Sequence, residues 1–369
     1  MLEYLFIAFI VIFCIQFIFY FFIFGTITFF KNKPTKSNFS KPISIIICAK
    51  NEAENLTKNL PHFLNQNYHT FELVLINDSS SDTTLEVLEK FKKKATIPIK
   101  IVDVKANEQF WGSKKYALTL GIKAASFDHL LFSDADCYPN STHWITEMSQ
   151  FFNSEKQLIL GYGAYKKVSK SVLNKLIRFE TLLTAIQYFS YSKIGSPYMG
   201  VGRNLAYTKS LFFENNGFVN HMKIKSGDDD LFVNQVATKN NTTFNSSPKS
   251  FTISTPKTTF KEWVQQKRRH VSTASFYKPF HKFMLGLFYS TQISFWLFSI
   301  VLISFLYRWE IVLPLILVRI CIQYLVIGFS AKNFNEKDLI TLIPFYEIFL
   351  ISLQMFIFIK NLISKPSHW

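Results

Sequence analysis

Acidic residues that follow predicted buried strands are the positions of this sequence best suited to chemistry. Asp134 and Asp136 come directly after one apolar run, and Asp78 comes directly after another. Carboxylate oxygens are the ligands that hard divalent cations such as Mg²⁺ and Mn²⁺ prefer. A run of three acids, at positions 228–230, lies further along the chain. Because close like charges raise the pKa of at least one member, this run can supply a general base.

Two simpler interpretations of these acids stay open. Asp82 suits the N-cap of a helix that begins near Thr83, since a short acidic side chain accepts a hydrogen bond from a free amide of the first turn. The acids at 228–230 suit the start of another helix, where the macrodipole favours negative charge. That second role is compatible with base chemistry at the same residues.

Strands and helices alternate in the first half of the central region. Short β-branched runs predict buried strands, and apolar residues at helical spacing predict helices between them. The strands are predicted over Pro42–Cys48, Phe71–Ile76, Ile99–Val104 and His129–Phe132, and the helices over Asn51–Asn67, Thr83–Lys94 and Tyr116–Ala125. This alternation predicts a mostly parallel α/β sheet, in which ligands bind beyond the carboxyl ends of the strands. The chain lacks the glycine patterns of a dinucleotide fingerprint and of a P-loop, which excludes both.

Six short motifs occur in the order found in family 2 glycosyltransferases with a GT-A fold. They are Pro42–Glu52, Asn77–Asp82, Trp111–Leu118, Asp134–Asp136, Gly227–Leu231 and Gln266–His270. The chain resembles this family from about Lys41 to Tyr277. Its apolar flanks resemble the membrane-embedded branch, which includes ceramide glucosyltransferase and the cellulose- and hyaluronan-type synthases. The resemblance implies an α/β GT-A domain flanked by transmembrane helices.

The resemblance also implies roles for individual residues. Asp229 is expected to be the general base of an inverting transfer, and Asp136 and Asp134 are expected to hold a divalent cation, Mg²⁺ or Mn²⁺. Contacts to a nucleoside-diphosphate sugar, by resemblance a UDP-sugar, are expected from Ala49, Glu52, Asp78, Lys114, Asp134, Arg203, Gln266 and Arg269. A lipid-linked or short glycan acceptor is expected near Gly200, Gly202, Asp228 and His270.

The chain departs from the family pattern at three positions. Asn77 stands where the family has an Asp, Ser113 stands where it has a Gly, and His270 replaces the Trp of the Q-x-x-R-W motif. In processive synthases that Trp is associated with the acceptor. Its replacement therefore favours a single transfer, and a processive polysaccharide synthase of the cellulose or hyaluronan type stays as the alternative.

Several basic residues also allow a simpler interpretation. Lys114 and Lys115 can form the solvated start of a helix, and Arg203 can be merely exposed. The cations at 267–269 can serve only to bind anionic lipid at a membrane surface.

Composition separates a basic central block from two apolar ends. The chain of 369 residues is 49% apolar and only 18% charged, whereas soluble domains have about a quarter charged residues. Residues 31–282 hold 35 Lys and Arg against 20 Asp and Glu. This pattern excludes a simple soluble enzyme, a disordered chain and a collagen-like chain. A basic membrane-associated binding domain without activity stays as an alternative, but no nucleic-acid-binding motif is present and no nucleic-acid partner is expected.

Four apolar segments are long enough to cross a bilayer, which takes about 20 residues. They are Leu5–Phe30, Phe283–Leu306, Ile311–Ser330 and Leu339–Ile359. Four lysines follow the first segment, at positions 31, 33, 36 and 41. The positive-inside rule therefore predicts a multi-pass protein of the cytoplasmic (inner) membrane whose α/β domain faces the cytoplasm. The last segment is followed by Lys360 and Lys365, so it can also be re-entrant or lie flat.

These segments predict a division of the chain into five parts. An N-terminal span covers 1–30, the GT-A domain 31–256, an amphipathic interfacial segment 257–282, about three spans 283–361 and a tail 362–369. Arg319 and Glu347 lie within predicted spans, where a lone charge costs at least about 2.5–3.5 kcal/mol. We therefore expect the two to pair, with snorkelling of Arg319 to the interface as the alternative. No feature of the sequence indicates an oligomeric state.

Overall fold

The structure is a computed structural model that describes residues 1–29, 39–105 and 114–364. The predictions for Trp111, Ser113, Lys365 and the lysines at 31, 33 and 36 therefore lie outside the described residues. The strands within these ranges are β1 (Ile43–Ala49), β2 (Phe71–Asp78), β3 (Ile99–Val104), β4 (His129–Asp134), β5 (Cys137–Pro139), β6 (Leu158–Leu160), β7 (Gly163–Tyr165), β8 (Leu205–Thr208), β9 (Thr242–Phe244) and β10 (Thr252–Ser254).

Helices cover the strands and form both ends of the chain. They are α1 (Leu2–Phe17), α2 (Gly25–Phe29), α3 (Ala53–Leu64), α4 (Thr84–Lys94), α5 (Lys114–Ala124), α6 (Trp144–Ser149), α7 (Val172–Lys193), α8 (Lys209–Glu214), α9 (Asp230–Val236), α10 (Phe260–Thr273), α11 (Pro279–Ser304), α12 (Trp309–Asn333) and α13 (Ile343–Ile363). A wider π-helical segment, Ile18–Phe24, joins α1 to α2. Short 3₁₀ helices lie at Gly202–Asn204, Val219–His221, Pro248–Ser250, Ala274–Phe276 and Lys337–Leu342.

The central sheet is mostly parallel, as the sequence predicts. Its strand order is β3-β2-β1-β4-β8-β6-β9. The first four strands are parallel to one another, and β8 is antiparallel to β4 and β6. A smaller sheet joins β5, β10 and β7. Because β1, β2 and β4 run in one direction, their carboxyl ends share one edge of the sheet, and β1 pairs there with Asn77 through Ala49 and with Asp134 through Cys48.

The β-branched runs form central strands because both of their faces are buried. Ile45 and Ile47 of β1 lie in the apolar cluster that contains Leu56 of α3, whereas Ile46 lies in the cluster that contains Ile122 of α5. The four predicted strands and three predicted helices are confirmed, with small differences at their ends. β2 and β4 extend far enough that Asp78 and Asp134 are the last residues of their strands.

Among the residues that the structure describes, four helical segments are long and apolar enough to cross a membrane. They are Leu2–Phe29, Pro279–Ser304, Trp309–Asn333 and Lys337–Ile363, which match the four predicted segments. α11 begins at Pro279, within the stretch predicted to be interfacial.

α7 joins the α/β domain to the membrane helices. The ring of Phe179 packs 5.1 Å from that of Tyr346 on α13, centroid to centroid. Arg178 is only 2% exposed and donates hydrogen bonds to Glu336 and to Asp338, in the segment between α12 and α13. This segment therefore lies on the same side of the membrane helices as the α/β domain.

The predicted pair of Arg319 and Glu347 is confirmed. The guanidinium donates to both carboxylate oxygens, at 2.6 and 3.0 Å, and both side chains are 2% exposed. Tyr20 and Gln292 donate to the same carboxylate, and Gln16 accepts from Arg319. The snorkelling alternative is therefore wrong, and one polar cluster links the four membrane segments.

Toward the C-terminal end of α13, its hydrogen-bond partners lie nearer to the α/β domain. Near its start α13 accepts a hydrogen bond from Trp296, and at the carbonyl of Ile351 it accepts one from Tyr289. Tyr289 lies nearer than Trp296 to the beginning of α11, which follows the α/β domain. Near its end, the side chain of Asn361 accepts a hydrogen bond from Arg268 of α10 at 2.8 Å.

The buried ion pair predicts a charge-reversal rescue. Arg319→Glu and Glu347→Arg each leave like charges in contact within an apolar bundle, where breaking a buried pair costs about 3–5 kcal/mol. Each single variant should therefore lower the unfolding temperature in detergent, and the double variant should recover most of that loss. Lys332→Gln, at an exposed cation on the same helix, is the control. Additive losses in the double variant would contradict a specific pair.

Candidate active site

Asp229 lies at the start of α9, and its carboxylate accepts hydrogen bonds from two backbone amides. Its Oδ1 accepts the N–H of Asp230 at 2.8 Å, and its Oδ2 accepts the N–H of Gly202 at 2.7 Å. The preceding Gly227 has φ +90°, a conformation that side chains disfavour and glycine adopts readily. Asp229 is therefore a helix cap, as the simpler interpretation has it, and it also lines a cavity together with Asp228.

The pKa of Asp229 is raised from its ordinary value to about 7. Burial is the largest cause, the neighbouring charges of Asp228 and Asp230 add to it, and the two amide donors oppose it. The raised pKa expected for one member of this run is therefore confirmed. A carboxyl group with a pKa near the working pH is well matched to accept a proton as a general base.

Lys114 joins two acids that come from different parts of the chain. It stands at the first position of α5, and its Nζ lies 2.9 Å from Asp134 Oδ1 and 3.1 Å from Asp228 Oδ2. Burial alone would lower the pKa of Lys114, but these two carboxylates raise it well above the ordinary value. Lys114 in turn holds the pKa of Asp228 below its ordinary value, against the effect of burial.

Asp134, Asp136 and Cys137 form a group that could hold a cation. One ligand atom from each of the three lies within 4.8 Å of the others. The Cys137 thiol donates to Asp136 Oδ1 at 3.1 Å, and burial raises the pKa of this thiol well above its usual range. Carboxylate oxygens are the ligands that suit Mg²⁺ or Mn²⁺, so Asp134 and Asp136 are the members of this group best matched to such a cation.

Three further residues that were predicted to contact the sugar-nucleotide donor lie at the same edge of the sheet. Ala49 is buried at the end of β1, and Asp78 is partly buried at the end of β2. Burial raises the pKa of Asp78, and Lys50 and Lys114 lower it. Glu52 has a pKa raised by burial and by the nearby charges of Asp136 and Asp134.

Asn77 and Asp82 have structural partners of their own. Asn77 donates to Asp103 on β3 at 2.7 Å, so its amide is directed along the sheet toward the next strand. The Asp82 carboxylate accepts from the amides of Thr84 and Ala53, at 3.0 and 3.3 Å. Asp82 therefore has the structural role of binding the first amides of α4 and α3, but the N-cap residue of α4 is Thr83 and not Asp82 as the simpler interpretation has it.

Arg203 is packed against the protein, and the alternative that it is merely exposed is wrong. Its guanidinium carbon lies 4.3 Å from the centre of the Tyr165 ring. A Cβ added at Gly163 would lie 2.2 Å from Arg203 Nε, so only glycine leaves room for this side chain. Gly200 is also closely packed, since an added Cβ would lie 2.9 Å from Leu205.

The sixth motif lies on α10, which protein contacts fasten on three sides. Lys267 pairs with Glu180 of α7 at 2.5 Å, and Arg268 donates to Asn361 of α13. At the end of α10, the hydroxyl of Thr273 donates to the carboxylate of Asp230. Two cations of this stretch thus have protein partners, which argues against a purely lipid-binding role.

The other residues of the sixth motif lie on the same helix. Gln266 and Arg269 are partly buried, and His270 is exposed. Within the described chain, Gln266 Oε1 is buried and accepts no hydrogen bond. No hydrogen bond described for Gln266 joins it to the acids of the cavity.

Five of the predicted site residues, which come from separate parts of the chain, lie around the same cavity in the structure. Lys114, Asp134, Gly202, Asp228 and Asp229 line a single cavity. Asp136 lies next to this cavity, because one of its carboxylate oxygens is within 4.8 Å of a carboxylate oxygen of Asp134.

Two residues around this cavity could not be found from the sequence pattern. Lys115 is 1% exposed and donates to three backbone carbonyls, so its interpretation as a solvated lysine is wrong. Tyr277 donates to Asp230 at 2.7 Å and connects the acids to the beginning of α11. Lys115 lies within the third motif, at Trp111–Leu118, but the motif assigns it no role, and Tyr277 lies outside all six motifs.

The sequence of the chain matches the profiles of two described protein families. The sequence profile of glycosyl transferase family 2 matches residues 44–212, and that of glycosyl transferase family group 2 matches residues 135–353. The second match covers more than half of the chain.

Two curated relatives resemble parts of the chain. A poly-beta-1,6-N-acetyl-D-glucosamine synthase of Staphylococcus epidermidis is 37% identical over 94 residues, which are 26% of this chain and 21% of that protein. A dolichyl N-acetyl-alpha-D-glucosaminyl phosphate 3-beta-D-2,3-diacetamido-2,3-dideoxy-beta-D-glucuronosyltransferase of Methanococcus voltae is 30% identical over 161 residues, 42% of this chain and 49% of that protein. The chain therefore matches half or less of the length of these relatives.

A solved structure shares the fold over most of both chains. It is a mannosyltransferase of Pyrobaculum calidifontis in complex with GDP-Man and Mn²⁺, with a TM-score of 0.60 and 15% identity over 90% of this chain and 99% of that one. This likeness shows the GT-A fold. The family profiles show that the chain belongs to the family 2 glycosyltransferases, and four helical segments among its described residues are long and apolar enough to cross a membrane.

Proposed function

We propose that this protein is an inverting glycosyltransferase that moves a sugar from a UDP-sugar to a lipid-linked or short glycan acceptor. The observation that carries the proposal is the single cavity in which Lys114 holds Asp134 on one side and Asp228 on the other, with Asp229 beside them. Donor-binding acids and a carboxyl group with a pKa near 7 thus meet at one place.

The donor half of the site suits a nucleoside diphosphate. Asp136 and Asp134 would hold Mg²⁺ or Mn²⁺, which supplies positive charge to the departing diphosphate. The ammonium of Lys114 lies beside Asp134 and can add a further positive contact to a phosphate. Ala49, Glu52 and Asp78 lie at the neighbouring strand ends, where the nucleoside would be bound. The structural neighbour with GDP-Man and Mn²⁺ supports this class of ligand.

The base half of the site suits transfer with inversion. The proton of the acceptor hydroxyl passes to Asp229 while the hydroxyl oxygen forms a bond to the anomeric carbon of the donor sugar. The bond from that carbon to the diphosphate breaks, and its electron pair leaves with the diphosphate. Each Asp229 oxygen accepts one amide hydrogen bond, which leaves acceptor capacity for the incoming proton.

The acceptor class is supported by the replacement at His270 and by one relative. The name of the Methanococcus voltae enzyme describes transfer to a dolichyl-phosphate-linked sugar. Gly202, Asp228 and the exposed His270 would lie on the acceptor side. The alternative of a processive polysaccharide synthase is supported by the 37% identity to a poly-N-acetylglucosamine synthase.

The location follows from charge and from two contacts of the membrane helices. We place the α/β domain in the cytoplasm at the inner membrane, because basic residues flank the first span on this side. Arg178 donates hydrogen bonds to Glu336 and Asp338, and these contacts support a position of the segment before α13 on the cytoplasmic side as well. Since Asn361 at the other end of α13 also contacts α10, we propose that the segment Lys337–Leu342 enters the inner leaflet and that α13 returns from it to the same side rather than crossing the bilayer.

The donor, the acceptor and the size of the product are tested in one experiment. Purified protein with Mn²⁺ is offered UDP- and GDP-sugars, with and without a polyprenyl-phosphate acceptor, and released nucleoside diphosphate is measured. We expect release with a UDP-sugar that the lipid stimulates, and a product that carries one or a few sugars. Long polymers would favour the processive alternative, and no metal-dependent release with any donor would favour the non-enzymatic one.

Asp229→Asn should retain UDP binding and lower kcat by about 10²–10⁴-fold, since a base contributes on that order. Because the base works only when deprotonated and its pKa is about 7, wild-type kcat should fall as the pH drops below that value. Glu89→Gln, at an exposed acid of α4, is the matched control. Loss of UDP binding in Asp229→Asn would show that the base assignment is wrong.

Asp136→Ala should weaken the binding of UDP in the presence of Mn²⁺ far more than in its absence, because it removes a cation ligand. Calorimetric titration of UDP with and without Mn²⁺ measures both affinities. Cys137→Ser is the control, since it leaves both carboxylates in place. Equal loss of affinity with and without Mn²⁺ would place the cation elsewhere.

The path of α13 predicts the side on which the C-terminal end lies. A protease-cleavable tag after the last residue should be cut in inside-out vesicles and protected in right-side-out vesicles, as a tag in the α/β domain would be. Cleavage only in right-side-out vesicles would show that α13 crosses the bilayer.

A further inference from the structure

Lys115 has surroundings opposite to those of its neighbour in sequence. Whereas Lys114 reaches into the cavity, Lys115 is 1% exposed and its ammonium makes no described contact with the cavity carboxylates. Its Nζ donates to the backbone carbonyls of His221, Ile224 and Ser226, each at 2.8 Å. All three donors of the ammonium are therefore used on one segment of backbone.

The three carbonyls belong to the segment that leads into the proposed base. This segment includes the short helix Val219–His221 and turns at Gly227 before the acids begin. A Cβ at Gly227 would lie 2.5 Å from Leu231, so the turn is tightly enclosed. Carbonyls at positions 221, 224 and 226 converge on one ammonium, and this convergence fixes the curvature of the segment.

Burying the charge of Lys115 is electrostatically unfavourable, and specific partners offset this effect. Burial lowers the pKa of Lys115 to about 8, and the charges of Asp228, Asp230 and Asp229 oppose that effect. A charged lysine ordinarily stays exposed to water and is buried only where it gains partners for its ammonium. Here the compensation is the three carbonyls together with three nearby acids, all within one stretch of chain.

Two consecutive residues of α5 thus hold the base segment from two sides. Lys114 binds the side chain of Asp228, and Lys115 binds the backbone before it. The same Lys114 binds Asp134 at the end of β4. The first turn of α5 therefore sets the distance between the metal-site acids and Asp229.

We propose that Lys115 is a positioning residue that holds Asp229 in line with the bound donor through the backbone of residues 221–226. The proposal rests on the proposed role of Asp229 as base. It predicts that loss of Lys115 impairs transfer while the donor-binding strand ends keep their geometry.

Lys115→Met, which keeps the length of the side chain and removes its donors, is the direct test. We expect kcat to fall by about 10- to 100-fold, with the affinity for UDP and Mn²⁺ changed by less than about 3-fold, the pattern of a group that acts on the transition state. Hydrogen exchange should speed up in residues 219–230 and stay unchanged in β1, β2 and β4. Lys123→Met, at an exposed lysine of the same helix, should behave as wild type.

Lys115→Arg is the second variant, because Arg keeps the charge but its planar fork cannot reproduce three converging ammonium bonds. Its kcat should lie between those of Lys115→Met and wild type, and it carries the test if the Met variant does not fold. An unchanged kcat, or a loss of UDP affinity as large as the loss of kcat, would overturn the proposal. The absence of turnover in wild type would instead refute the proposed function, and the exchange measurement would still report on the segment.

Discussion

A single ammonium, that of Lys114, makes it possible for acids from separate parts of the chain to share one cavity. Asp134 arrives on β4 and Asp228 on the segment before α9, and each lies about 3 Å from the Lys114 nitrogen. Like charges this close repel strongly where water is partly excluded. Without a cation between them, the donor side and the base side of the cavity would be pushed apart.

The same arrangement explains how one site can hold carboxylates in different protonation states. Asp228 is kept ionised by Lys114, whereas Asp229, one residue further, has no cation in hydrogen-bonding contact among its described partners and a pKa of about 7. Two neighbouring acids thereby have pKa values shifted in opposite directions because their surroundings differ. Such separation of pKa values is a general way to build a base beside a binding group.

The site is also fastened to the membrane helices. Asp230 accepts hydrogen bonds from Thr273, the last residue of α10, and from Tyr277, which lies between α10 and α11. Arg178 of α7 holds the segment before α13. The helix that carries the sixth motif is therefore connected at one end to Asp230, the residue after the proposed base, and through Arg268 to Asn361 of α13.

Patterns with a physical period were readable from the sequence, and contacts without one were not. The strands β1 to β4 were predictable because their β-branched runs are buried on both faces, and Arg319 with Glu347 because charges within a bilayer need partners. Strands such as β6 and β9 have only three residues and leave no such signal. The role of Lys115 depends on three carbonyls of a distant loop, which no spacing in the sequence records.

The central claim is that Lys114 and the strand-end acids form a common donor site facing Asp229. A structure determined with UDP and Mn²⁺ tests it most directly. The account predicts the cation coordinated by Asp136 or Asp134, the diphosphate beside Lys114, and an open path from Asp229 to the position of the sugar. A nucleotide bound away from these residues, or a diphosphate that separates Asp229 from the acceptor side, would contradict it.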